Sequence, residues 1–198
     1  MGSLNTKIMI WNMALDLLRE QPLAATSDEK ATAKWLTRNY DQQRDYLLER
    51  LPWKFALDRD EIAADATAPA WGWSYRYLLP TDALRIIPLT RDGSWSGPLV
   101  PYEIEGSYIL CDFSGPLRLR YVNRITNEGS FSNAFCEVLA ARLATKMAHW
   151  MTGKASMVDQ LRGIYTTTFD EVKDTEAVQR AAEAYYNTDI AEQRSEFY

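Results

Sequence analysis

Few residues in this chain have the type and spacing to do chemistry. His149 is the single histidine among 198 residues. It lies between Ala148 and Trp150 in an apolar helical run, without the partners that a catalytic triad or a histidine-based zinc site needs. It is expected to be a structural or surface histidine. Asp58, Asp60 and Glu61 offer carboxylates, and seven tryptophans offer platforms for sugar rings, the parts of a glycoside hydrolase. That mechanism needs two carboxylates at a defined separation across a cleft, which neighbours in one charged segment do not supply. Gly93-Ser94-Trp95-Ser96-Gly97 mimics a nucleophile elbow but places tryptophan where the serine must stand. There is no Walker loop and no Gly-x-Gly-x-x-Gly. No catalytic residue, metal ligand or cofactor is therefore assigned.

Arg118, Arg120, Tyr121 and Arg124 form a basic and aromatic cluster. Strand alternation puts Arg118 and Arg120 on one face, opposite Leu117, Leu119 and Tyr121, which makes them the wet side of a half-buried sheet. Phosphate binding over an extended surface would need a positive excess, and the charge balance runs the other way. Residues 1–169 hold 19 acidic and 19 basic side chains, whereas residues 170–198 hold 8 acidic and 3 basic, so the net charge of −5 sits in the tail. An acidic terminal segment is either a solvated helix face or an arm for a complementary partner.

The positioning elements follow from periodicity. Leu4 to Arg19 carries one helical stripe and Gln21-Pro22 stops it. Thr26-Ser27-Asp28-Glu29 has the form of a capping box, with a second helix running to about Arg50. Leu51-Pro52-Trp53-Lys54-Phe55-Ala56 ends that helix. Proline cannot continue the ladder, and Trp53 with Phe55 can fold back as a hydrophobic latch. Residues 57–72 read as a mobile loop. Strand candidates follow at Tyr75–Leu79, Leu84–Pro88, Val100–Ile104, Tyr108–Cys111 and Leu117–Val122, with Glu105-Gly106 as a tight hairpin. Tyr75 and Tyr77 alternate along the first of these, which Pro80 closes. Pro52, Trp53, Phe55, Tyr75, Tyr77 and Pro80 are thus the expected structural hinge. From Ser132 the ladder Phe135, Leu139, Leu143, Met147, Met151 predicts a helix stopped at Thr152-Gly153. A last helix spans about Ser156 to Tyr185 with a weak stripe in its later half.

No run is long enough to span a membrane, and Asn12 and Asp16 interrupt residues 8–18 as a signal segment. The opening Met-Gly-Ser-Leu-Asn-Thr loosely fits a myristoylation pattern, without the basic cluster that would support anchoring. Cys111 and Cys136 sit among apolar neighbours and are expected as buried thiols in a reducing compartment. Trp11, Trp35, Trp53 and Trp150 suit core or latch packing. Trp71 and Trp95, in glycine-bearing loops, suit a subunit or partner contact.

Several motifs occur in a fixed order: Tyr40-Asp41-x-x-Arg44-Asp45-x-Leu47-Leu48, Pro52-Trp53-x-Phe55-Ala56, Tyr75-x-Tyr77-x-Leu79-Pro80-x-Asp82, Pro101-Tyr102-Glu103-Ile104-Glu105-Gly106 and Phe135-x-Glu137-x-Leu139-Ala140-x-x-Leu143-Ala144. Together they make the chain resemble the tail tubular protein A group, the head-to-tail adaptors or gatekeepers of short-tailed bacteriophages. The resemblance covers nearly the whole chain. It implies a virion structural protein with no catalytic motif, in a ring of about twelve copies. The ring would join the portal protein to the tail nozzle protein, and DNA would pass through it without sequence-specific binding. The isolated chain would be free to stay monomeric until it meets a portal, in the cytoplasm of an infected bacterium.

The expected architecture is α+β, mainly α. A helical bundle (1–56 and 130–184) carries an inserted loop and a small antiparallel β subdomain (57–129) between the second and third long helices, and an extended C-terminal docking segment (185–198). Tyr185, Tyr186, Phe197 and Tyr198 would anchor that segment to the portal, while Trp71 and Trp95 would meet a neighbouring subunit or the nozzle. The rival expectations are a tail-borne cell-wall or polysaccharide hydrolase and a DNA-binding module.

Overall fold

A computed structural model describes residues 5–94 and 97–195, and the side chains of all of these except 152 and 179–195. Four helices and six strands follow in the order α1 (Lys7–Leu17), α2 (Ala31–Arg50), β1 (Leu57–Ile62), β2 (Tyr75–Leu78), β3 (Ala83–Ile86), β4 (Tyr102–Glu105), β5 (Tyr108–Cys111), β6 (Leu117–Asn123), α3 (Asn133–Thr152) and α4 (Ala155–Ser195). They gather into two compact units, one of residues 1–47 with 126–198 and one of residues 48–125. The sequence pattern places these boundaries at 56/57 and 129/130.

In the helical unit the Thr6 hydroxyl caps α1 by accepting from the Met9 N–H, which satisfies one of the orphan donors of the first turn. Asn12 closes the chain reversal after it. Its Nδ2 donates to the Leu23 carbonyl at 3.0 Å and its Oδ1 accepts from the Leu23 N–H at 2.9 Å. Trp11, fully buried, meets Tyr40 of α2 edge to face, with ring centroids 6.2 Å apart. α3 is capped by Ser132 and ends at Gly153 in the left-handed conformation. Phe135, Leu139, Leu143 and Met147 are all fully buried on it. With Ala140, Ala144 and Ala148 beside that stripe, neighbours can approach on two sides, and α3 packs against both α1 and α4.

The second unit holds two three-stranded antiparallel sheets, ordered β1-β6-β3 and β2-β5-β4. Leu117, Leu119 and Tyr121 of β6 point from the first sheet into a core shared with Tyr77, Ile109 and Cys111 of the second. Gly106 takes a φ of 57° in the two-residue turn joining β4 to β5, the left-handed geometry that such hairpins need. The Tyr77 hydroxyl lies 2.6 Å from the Phe113 carbonyl and 2.9 Å from that of Gly115, tying the turn before β6 to β2. Burial pushes the Tyr77 phenol above its ordinary range.

These observations correct the expected bundle with a small insertion. The chain is about 47% helix and 18% strand, with its strands ahead of the two helices that fill the C-terminal half. The β part is two sheets with their own core, not one small sheet. The helices are 11, 20, 20 and 41 residues long, unlike the matched rods of a bundle. Residues 185–195 are not extended either, because α4 runs unbroken to Ser195. Its Glu-Ala-Val-Gln-Arg-Ala-Ala-Glu-Ala sequence is rich in strong helix formers.

Three local expectations change as well. Residues 57–62 are strand β1 rather than loop, paired with β6 at all six positions. Thr26–Glu29 is no capping box: α2 starts only at Ala31, and the Asp28 carboxylate instead accepts from the Ala24 N–H at 3.0 Å. Trp150 is 47% exposed and stacks on Trp35 instead of entering the core.

Candidate functional site

The residues of the ordered motifs are mostly packing residues. Tyr40 is completely buried, and its hydroxyl is pushed well above the phenol range by burial and by the nearby Glu128 carboxylate. Arg44, only 5% exposed, lies between Asp41 at 2.9 Å and Asp45 at 2.7 Å. Two carboxylates offset the desolvation of one buried guanidinium. Trp53 is fully buried, with Phe55 half-buried 6.1 Å from it. Pro52 is buried, Tyr75 is half-buried at the start of β2, and Pro80 follows that strand.

Among the described residues of the β unit, four large apolar side chains face solvent: Trp71 (85% exposed), Leu99 (69%), Leu78 and Ile104. Ile104 stands in register with buried Ile109, yet it lies on edge strand β4 and stays half uncovered. A groove of about 360 Å³ runs beside Leu99, between Trp73, Pro101 and Phe113. The Trp73 indole N–H donates to Glu103 at 3.1 Å, and Asp112 accepts from both the Ser74 N–H and its hydroxyl. Apolar surface braced by such hydrogen bonds suits recognition of another protein.

Of the predicted contact residues, only Trp71 can be judged by exposure. Tyr185 and Tyr186 fall on α4, with side chains outside those described. Phe197, Tyr198 and Trp95 lie outside the described residues.

The basic face of β6 is a second candidate. Arg118 and Arg120 point away from the core as expected and, with Arg59 and Gly93, line a cleft of about 470 Å³. Asp60, Glu61 and Asp92 line it too. Arg118 reaches Glu61 at 3.4 Å, and the Arg120 Nε donates to the Gly93 carbonyl at 2.6 Å. Glu61 and Asp92 thus offset part of the charge of the three arginines.

The Thr67 N–H and the Arg76 side chain hold Asp65 below the usual carboxylate range. The Ser94 N–H does the same for Asp92. A general acid needs a carboxyl moved the opposite way. Asp58 and Asp60 share one face of β1 while Glu61 points to the other. Among the described residues no group of acidic, histidine and cysteine side chains is placed to hold a metal ion, and no helix is long and apolar enough to cross a membrane. Cys111 and Cys136 are free, buried thiols. Burial, helped by the Glu128 charge, pushes Cys136 up to about 12.

Sequence reasoning missed one cluster. Arg142, Lys146 and His149 recur at the spacing of a single helix face and meet Arg162 across the α3–α4 contact. The four-residue and three-residue steps were a usable signal, masked by the stronger apolar ladder on the same helix. No family model matches the chain, and no curated protein matches it.

Proposed function

We propose that this chain is a virion structural subunit, a ring-forming head-to-tail connector between the portal and the tail nozzle of a short-tailed phage. The observation that carries the reading is the ordered set of motifs from Tyr40 to Ala144, in which Tyr40, Arg44, Trp53, Tyr77, Phe135 and Leu139 are buried packing residues and Pro101–Gly106 lies largely at the surface. A connector works by shape and contact, so its most distinctive residues should be architectural. The exposed Trp71 and Leu99 supply apolar surface that a subunit of an assembly would bury against a neighbour or the nozzle. The acidic C-terminal part of the chain, with Tyr185, Tyr186, Phe197 and Tyr198, supplies anchors and charge for the portal.

The test is to mix the purified chain with the portal protein of the same phage and image the product by electron microscopy. A closed ring on the tail side of the portal is the expected result. Failure of the two proteins to associate under any assembly condition overturns the reading. Deleting residues 185–198 should abolish portal binding and leave the circular dichroism of the remainder intact; unchanged binding removes the anchoring role from that segment.

A further inference from the structure

We infer that the cleft between α3 and α4 is a binding site for a phosphate group. The cleft encloses about 530 Å³, and its rim carries Arg142, Lys146, His149 and Arg162, with the hydroxyls of Thr145 and Thr166 beside them. Among the described residues no carboxylate lines it. Asp159 touches Arg162 at 3.6 Å, but both side chains are about two-thirds exposed, so the pair is screened and weak. A purely cationic cleft is not an average property of a chain with net charge −5. The cleft at β6 shows the contrast, since carboxylates line it beside its three arginines and an anion would gain little there.

Arg142 is the organising residue. Its guanidinium lies 3.6 Å from the centroid of the Tyr46 ring and 5.6 Å from that of Tyr165. Contact with aromatic faces fixes the plane of a guanidinium without consuming its N–H groups. One weak bond, from Nη1 to the Tyr165 hydroxyl at 3.5 Å, is the hydrogen bond it makes among the described residues, and its shielded Nε has none. A guanidinium has five donors, so this one is oriented and largely unspent. Lys146 and Arg162 add mobile charge at the rim, and the two threonines add short donors. Several cations around one planar fork suit a phosphate, whose oxygens accept from many directions. The volume falls within the range of small-molecule sites, leaving room for an organic group on the phosphate. The site does not depend on whether the chain forms rings.

Isothermal titration calorimetry on the full chain at low ionic strength tests the site with three probes: inorganic phosphate, adenosine monophosphate and a short DNA duplex. Saturable binding of phosphate or the monoester identifies a small ligand. Binding of the duplex alone, falling steeply with salt, identifies backbone phosphates; either result supports the site. The exposed double variant Lys146→Gln/Arg162→Gln should weaken binding at least tenfold. Arg142→Lys, which keeps the charge but loses the fork, should weaken it too, with folding checked by circular dichroism. Arg59→Gln/Arg118→Gln on the β unit should leave it unchanged. The inference is overturned if none of the probes saturates, if binding survives Lys146→Gln/Arg162→Gln, or if only an acidic peptide of residues 170–198 binds, which would make the cleft a chain–chain contact.

Discussion

Arg59 and Arg120 stand directly opposite each other in the β1–β6 register, on the face they share with Arg118 and Glu61. Burial, and then the charge of Arg59, hold Arg120 below the ordinary range of an arginine. Like charges at opposed positions of an antiparallel pair destabilise it, typically by a few tenths of a kcal/mol. Arg59→Glu turns the clash into an attraction and should stabilise the chain by about 0.5 kcal/mol. Thermal unfolding in low salt should show a rise in midpoint that shrinks as ionic strength increases. A fall would mean that Arg59 makes a favourable contact.

Trp53→Ala should cost roughly 3–5 kcal/mol, because it empties the volume of a fully buried aromatic side chain. Trp53→Phe should recover much of that loss by keeping a ring in place. Urea unfolding midpoints of the two variants measure the difference. Equal and small effects would show that the surroundings collapse onto the site.

Gly153, just after α3, and Gly163, inside α4, should respond in opposite directions to alanine. Gly153 has a φ of 59° and open space around its Cβ position, so Gly153→Ala should destabilise by about 1 kcal/mol through the backbone alone. Gly163 lies inside α4, also in open space and without a positive φ. Gly163→Ala should therefore stabilise by about 0.5–1 kcal/mol through helix propensity. Denaturant unfolding of both variants, run side by side, settles the sign.

Both thiols should resist alkylation in the folded chain at about pH 8, where an exposed cysteine reacts, and react fully once denatured. Mass spectrometry after iodoacetamide treatment counts them. The raised Cys136 value also sets a pH dependence. Its folded pKa of about 12 exceeds the ordinary thiol value of 9.0, so its contribution to stability is full below 9 and is lost as pH climbs towards 12. Cys136→Ala should flatten that alkaline loss, and an identical alkaline slope in both proteins would exclude Cys136 as its source.

α3 is readable from sequence because every signal lies within it: Ser132 caps it, the four-residue ladder is buried from Phe135 to Met147, and Gly153 ends it. β6 is readable for the same reason, its alternation of buried and uncovered residues being visible in Leu117 to Tyr121. β1 is not. Leu57-Asp58-Arg59-Asp60-Glu61-Ile62 has four exposed residues between half-buried ends, so its strand state comes from pairing with β6, a distant partner that no local pattern names. The division of the strands into two sheets depends on the same kind of distant pairing. The fate of Trp150 depended on where its helix neighbours end. The cationic cleft needs α3 laid against α4, and His149 read alone gives no hint of Arg162.

α4 carries a consequence of its own. At 1.5 Å per residue its 41 residues extend for about 61 Å, roughly twice the length of α3. Leu161 is its only buried residue among the described side chains; from Arg162 to Val178 every one is partly or fully exposed. Helical structure over those turns rests on local propensity and backbone hydrogen bonds rather than on burial. Amide exchange should accordingly be slowest near Leu161 and quicken turn by turn towards Val178. One continuous helix would then hold a graded reserve of conformational freedom, spent only when something covers its outer turns.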